Sequence, residues 1–231
     1  MRTIVYVDGY NLFYAVLTES PHKWLNLFEL FNTHIVKEGA PGSDILIVKY
    51  FTSPALPSVA GDPEVGNRQN RYHQALRAHG QIEIIPGFHS PVTKKGMLTG
   101  PIDGTIHPDK VEVHLMEEKQ TDVNIGLHMY RDAIRNKCDH IVLCSNDSDL
   151  EPALKMIKDD CPDIHIGVIL PRKPDKEDKT RLSARLIKHA DWKRRAITEV
   201  ELSKSQFPNN LLDHKRRTIK KPDEWSIILD K

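Results

Sequence analysis

The chain has 231 residues, with 33 Lys+Arg against 32 Asp+Glu and a formal net charge of +1; 39% of residues are hydrophobic and 28% charged. This is the balance of a globular domain able to bury its own core. It argues against a disulfide scaffold, because the three cysteines (Cys138, Cys144, Cys161) are odd in number and form no CxxC pair. No apolar run approaches the roughly 20 residues of a membrane span, and the N-terminus opens directly on Thr3-Ile-Val-Tyr-Val7, so a cytoplasmic protein with reduced thiols is expected.

Residues 2–7 read as a fully buried strand, since apolar and aromatic side chains run without alternation. A short helix is predicted over 10–18, with Phe13 and Tyr14 packing it onto the sheet; stacking of bases by Tyr10, Phe13 and Tyr14 is the alternative. A second is predicted over 24–37, where Trp24, Leu27, Phe28, Leu30, Phe31 and Ile35 fall at helical spacing. Ile45–Val48 is the next buried strand. A helix over 63–79 ends at Gly80, a natural C-cap, and Ile82–Phe88 is a third strand. Residues 89–112 carry the turn signals Lys95-Gly96 and Asp103-Gly104 and read as a hairpin-like insertion. Thr121 is placed to cap a helix over 122–136. Ile141–Cys144, a helix over 147–159 and Ile164–Leu170 complete the alternation. Strands alternating with helices predict an α/β fold with a parallel sheet covered on both faces. The charged segment 171–180, with two prolines, reads as a mobile loop.

The near-zero net charge conceals an asymmetry. Residues 1–171 hold 16 Lys+Arg and 22 Asp+Glu, a net of −6; residues 172–222 hold 16 and 7, a net of +9. Two regions are therefore expected: a domain over 1–171 and a basic C-terminal extension over 172–231. The extension has Arg194 and Arg195 among its candidate phosphate contacts. An acidic body beside a basic segment suits a metal-carboxylate site next to a polyanion-binding surface; solvated lysine-rich faces are the structural alternative.

In an open parallel sheet, ligands sit beyond the carboxyl ends of the strands. Asp8 directly follows the first strand, Asp147 and Asp149 follow the fourth, and Asp122 lies in the first turn of its helix. Carboxylates brought together repel unless cations neutralise them. Hard oxygen ligands suit Mg²⁺ or Mn²⁺, which activate water and stabilise charge on a phosphodiester. Taken singly, Asp122 and Asp147 are equally explained as stabilisers of helix N-termini. The twelve histidines show no HxH or HExxH, and Gly87, Gly96, Gly100 and Gly104 form no phosphate-binding loop.

Three blocks, Asp8-Gly-Tyr-Asn11-Leu12, Glu118-Lys119-Gln-Thr-Asp122 and Ser145-Asn-Asp147-Ser-Asp149-Leu150, resemble the signature blocks of the NYN domain, a family of the PIN-like nuclease superfamily. The resemblance runs from about residue 2 to residue 170. It implies a PIN-like three-layer α/β/α sandwich with a central parallel sheet, and a metal-dependent ribonuclease acting on RNA. It implies that Asp8, Asp122, Asp147 and Asp149 are the acidic, metal-holding centre. Asn11 would hold the site open and touch metal or substrate, Ser145 would orient a carboxylate, and Lys119 would reach a phosphate or stay a surface lysine. Asn146 stands where the family often has glycine, and Leu150 where it often has an aromatic residue. Two readings compete. One is a haloacid dehalogenase-like phosphatase with Asp8 as nucleophile, but that chemistry wants a second acid where Tyr10 stands. The other is a non-catalytic RNA-binding or scaffold protein. Trp24, Trp192 and Trp225 mark core or interface positions, which leaves a homo-oligomer open.

Overall fold

The computed structural model describes residues 1–96, 111–174 and 184–226. The Asp103-Gly104 turn, His107 and all but the start of the 171–180 loop lie outside them. Six strands form one parallel sheet: β1 (Arg2–Asp8), β2 (Asp44–Thr52), β3 (Ile82–Pro86), β6 (His140–Cys144), β7 (His165–Ile169) and β8 (Trp192–Arg194), in the order β3-β2-β1-β6-β7-β8. Between β3 and β6 the chain forms a separate antiparallel hairpin, β4 (Phe88–Gly96) with β5 (Val111–Lys119).

The unbroken apolar run of β1 is explained by a core on each face of the sheet. Val5 and Val7 join Val142 under one layer. It is built from α1 (Gly9–Leu12, continued by a π-helical segment Phe13–Leu17), from α2 (Leu27–Glu29, π-helical over Leu30–Ile35, then Val36–Gly39) and from α3 (Val65–His79). Ile4 and Tyr6 join Ile141 and Leu143 under the other, formed by α4 (Thr121–Ile134) and α5 (Glu151–Asp160). Every second residue of a strand faces the same side, so alternation is lost when both sides are apolar. The result is the expected PIN-like three-layer α/β/α sandwich.

Several local expectations shift by a few residues, for identifiable reasons. The second helix begins at Leu27 rather than 24 because the Asn26 side chain caps it, accepting from the Glu29 amide at 3.2 Å. Trp24 and Leu25 precede it and are fully buried. The third strand stops at Pro86, and Phe88 already belongs to the hairpin, whose second arm runs on to Lys119. Thr121 does not cap α4. Gln120, at φ +76°, turns the chain into the helix, and the Thr121 hydroxyl is drawn away to Glu118. Gly80 ends α3 in the left-handed conformation, as expected.

The basic C-terminal segment contributes to this packing. β8 adds a sixth strand beside β7, and Trp192 lies over Gly167 and Gly39, where a Cβ would come within 2.3 Å of its ring. Phe207 and Ile219 enter the first core, and Trp225 packs against Trp24 and Tyr72 at 6.1 Å. All three tryptophans thus serve packing within the chain. Cys138, Cys144 and Cys161 are free thiols.

Candidate active site

Asp8 ends β1 and caps α1. Its carboxylate accepts from the Asn11 amide at 2.9 Å and from the Ser145 hydroxyl at 2.9 Å. Gly9 is required beside it: a Cβ there would stand 2.6 Å from the Phe51 carbonyl and 2.8 Å from the Tyr50 ring. The neighbouring loop after β6 is built onto the same contacts. Ser145 Oγ accepts from the Asp147 amide at 3.0 Å, Asn11 Oδ1 accepts from the Asn146 amide at 3.1 Å, and Asp147 accepts from the Asp149 amide at 2.9 Å. Ser145 therefore ties the two loops together while its own hydrogen points at Asp8. Leu150, where the family often carries an aromatic residue, is buried in the second core.

Asp8, Asp147 and Asp149 all act electrostatically on Asp122. Asp122 is raised from 3.8 to about 6, first by burial and then by Asp147, Asp8, Glu118 and Asp149. Asp8 is also raised, chiefly by burial, against the lowering hydrogen bonds from Asn11 and Ser145; Asp147 and Glu118 add to the rise. Glu118 is absent from the set expected from sequence. It sits inside the second signature block, and strand alternation turns it away from Glu117 and Lys119. Its Oε1 accepts from Ser53 Oγ at 2.7 Å and from the Thr121 hydroxyl.

The remaining expected residues lie differently. Lys119 donates to Glu117 at 2.7 Å, on the hairpin face opposite Glu118. Arg194 ends β8 with its guanidinium shared between Glu38 and Glu201 at 2.5 Å each. Arg195 is exposed. Tyr14 does not pack onto the sheet: it is 62% exposed and stacks on Tyr10 at 5.8 Å, whereas Phe13 does touch the first core.

The donor set suits a hard divalent cation in chemistry, being oxygen only. Among the described residues, no three such side chains are gathered closely enough to form a complete ligand cluster. Beside the rim lies a cavity of about 740 Å³, lined by Tyr10, Phe13, Tyr14, Tyr72 and Trp225 and reaching Glu118.

A parallel sheet with an acidic rim at its carboxyl ends defines a PIN-like α/β protein. The family model of the NYN domain matches residues 2–189, and the chain belongs to that family. Among curated proteins it is similar to 6-hydroxy-3-succinoylpyridine 3-monooxygenase HspA of Pseudomonas putida (strain DSM 28022 / S16), with 36% identity over 97% of this chain and 75% of the relative. A crystal structure of a protein of unknown function from Vibrio parahaemolyticus aligns over 86% of this chain and 93% of its own, at a TM-score of 0.48 and 19% identity.

Proposed function

We propose that the acidic rim is the centre of a metal-dependent ribonuclease. One observation carries this reading: Ser145 ties the loop bearing Asp147 and Asp149 to Asp8 at the end of β1, beside Asp122, which burial and these acids raise. Asp8, Asp122, Asp147 and Asp149 would hold Mg²⁺ or Mn²⁺, which supplies an activated water and charge stabilisation at the phosphorus. The chain's own contribution is positioning. Ser145 and the Asn11 amide fix Asp8, leaving part of each of its oxygens' acceptor capacity free. Asn11 accepts from the Asn146 amide and so fixes that loop beside Asp8, and it would touch metal or substrate. Arg195, exposed just beyond β8, and Lys119, exchanging Glu117 for a phosphate, would contact the RNA backbone; Arg194 would contribute through the orientation of that edge.

The test is cleavage of RNA pools by the purified protein with Mg²⁺, with Mn²⁺ and with excess chelator, beside Asp122→Asn. Cleavage that needs the cation and is lost in the variant supports the reading, and undiminished cleavage in chelator overturns it. A second reading takes its motive from the curated relative, whose name gives a hydroxypyridine as substrate, and from the aromatic cavity that would receive such a ring. Oxygen consumption in the presence of a hydroxypyridine and a nicotinamide reductant, with RNA left intact, would favour that reading over the nuclease.

A further inference from the structure

The cavity beside the rim has a composition that the acids do not explain. Its volume, about 740 Å³, lies within the roughly 300–1,000 Å³ of small-molecule sites. Its walls place Tyr10, Phe13, Tyr14, Tyr72 and Trp225 around one space. The Tyr10 and Tyr14 rings are stacked and nearly parallel, at 13°; Tyr10 also meets His89 edge-on at 6.2 Å. Tyr72 and Trp225 meet at 69°.

The charges lining the cavity divide into two neighbourhoods. Glu118 acts on Tyr10. Lys23 and Arg68 act on each other. Arg68 is neutralised by Asp62, with Glu224 at 3.5 Å. Lys23 is half-buried, and among the described residues it has no carboxylate partner. Its ammonium is lowered by burial and by Arg68. A desolvated cation in an aromatic cavity is stabilised by an anion that brings an apolar body with it. The acidic Glu118 side makes the opposite demand and turns an anion toward Lys23.

We propose that this cavity binds a planar aromatic ring carrying a carboxylate or phosphate, with the ring among Tyr10, Tyr14, Tyr72 and Trp225 and the anion on Lys23. The ring comes either from a nucleotide or from a small aromatic acid, and both share this chemistry. The site stands on cavity geometry, whichever reaction the rim performs.

Isothermal titration in chelator-containing buffer tests it with two probe classes, each paired with a neutral counterpart: AMP with adenosine, and nicotinate with nicotinamide. The anionic member should bind about tenfold more tightly than its counterpart, the scale of one charge-assisted hydrogen bond. Lys23→Gln should remove that advantage while leaving the neutral probe unchanged. Ala55→Trp, which fills the cavity from its wall, should weaken both. Circular dichroism of each variant checks that the fold persists. Asp122→Asn should bind as the wild type does, which separates this site from the metal centre. Tighter binding of AMP assigns the ring to nucleotides, and tighter binding of nicotinate to small aromatic acids. Failure of both anionic probes to bind, or equal binding of them by Lys23→Gln, overturns the proposal.

Discussion

The two ends of the sheet handle charge in opposite ways. At the amino ends, ionised and polar groups find complements. Arg2 binds Asp139 at 2.7 Å and the Asn136 side chain at 2.7 Å, and the terminal amine donates to the Gly42 carbonyl. His140 is fully buried yet fully used: Trp192 Nε1 donates to its Nε2 at 2.9 Å, so its Nδ1 carries the hydrogen that faces the Thr3 and Ser43 hydroxyls at 3.1 Å. Between sheet and α4, Lys49 pairs with Asp132, which also accepts from Tyr6 at 2.8 Å. At the carboxyl ends, Asp122 meets other carboxylates, and Asp8 is held by neutral hydroxyl and amide donors. One end is arranged for stability; the other stores repulsion that a bound cation would relieve.

This contrast can be broken from either side. The largest effect is expected at the rim. Asp8→Asn or Asp147→Asn should lower Mn²⁺-stimulated RNA cleavage by about 10³-fold, roughly 4 kcal/mol of transition-state stabilisation, with little change in melting temperature. Single-turnover rates decide it, and a loss below tenfold in both variants would remove these acids from the centre. Next is the buried pair. Lys49→Met leaves Asp132 charged and buried, and should cost about 3–4 kcal/mol in urea unfolding. Adding Asp132→Leu should restore part of that loss, and a double variant no more stable than the single would contradict this account.

His140 sharpens the contrast through pH. Burial, with His165 as a further cause, lowers it from 6.5 to about 4. The unfolded chain therefore takes up this proton near 6.5, and the folded chain only near 4. Its contribution is fully present above pH 6.5 and declines as pH falls toward 4, by up to about 3 kcal/mol. Stability curves of the wild type and His140→Gln between pH 7 and 4 should converge in acid; parallel curves would remove His140 as the cause. The smallest effect on stability is at Asp122, whose folded-state value of about 6, against 3.8 in the unfolded chain, means that the fold bears a cost for ionising it at neutral pH. Asp122→Asn should therefore raise stability by about 1–2 kcal/mol at pH 8, discounted for its partial exposure, while abolishing cleavage. A lower melting temperature for this variant would show that the rim is not under repulsion.

What the sequence by itself determined is local. Asp8 after an unbroken apolar run, the Asp147–Asp149 pair after another, and Gly80 behind a helix carry their meaning within a few residues, because caps, alternation and strand ends are short-range physics. The order of strands and helices, and hence the layered fold, follows from the same signals. Tertiary structure decided the rest. Glu118 reaches the rim only because the hairpin folds back with that face toward Ser53 and Thr121. β8 has three residues and no periodicity of its own; it is a strand because Gly167 and Gly39 leave room for Trp192. Arg194 reads as a free cation until Glu38, distant along the chain, is packed beside it. The aromatic cavity joins residues from Gly9 to Trp225. Each of these depends on contacts between segments far apart in sequence, whose energies no local pattern encodes.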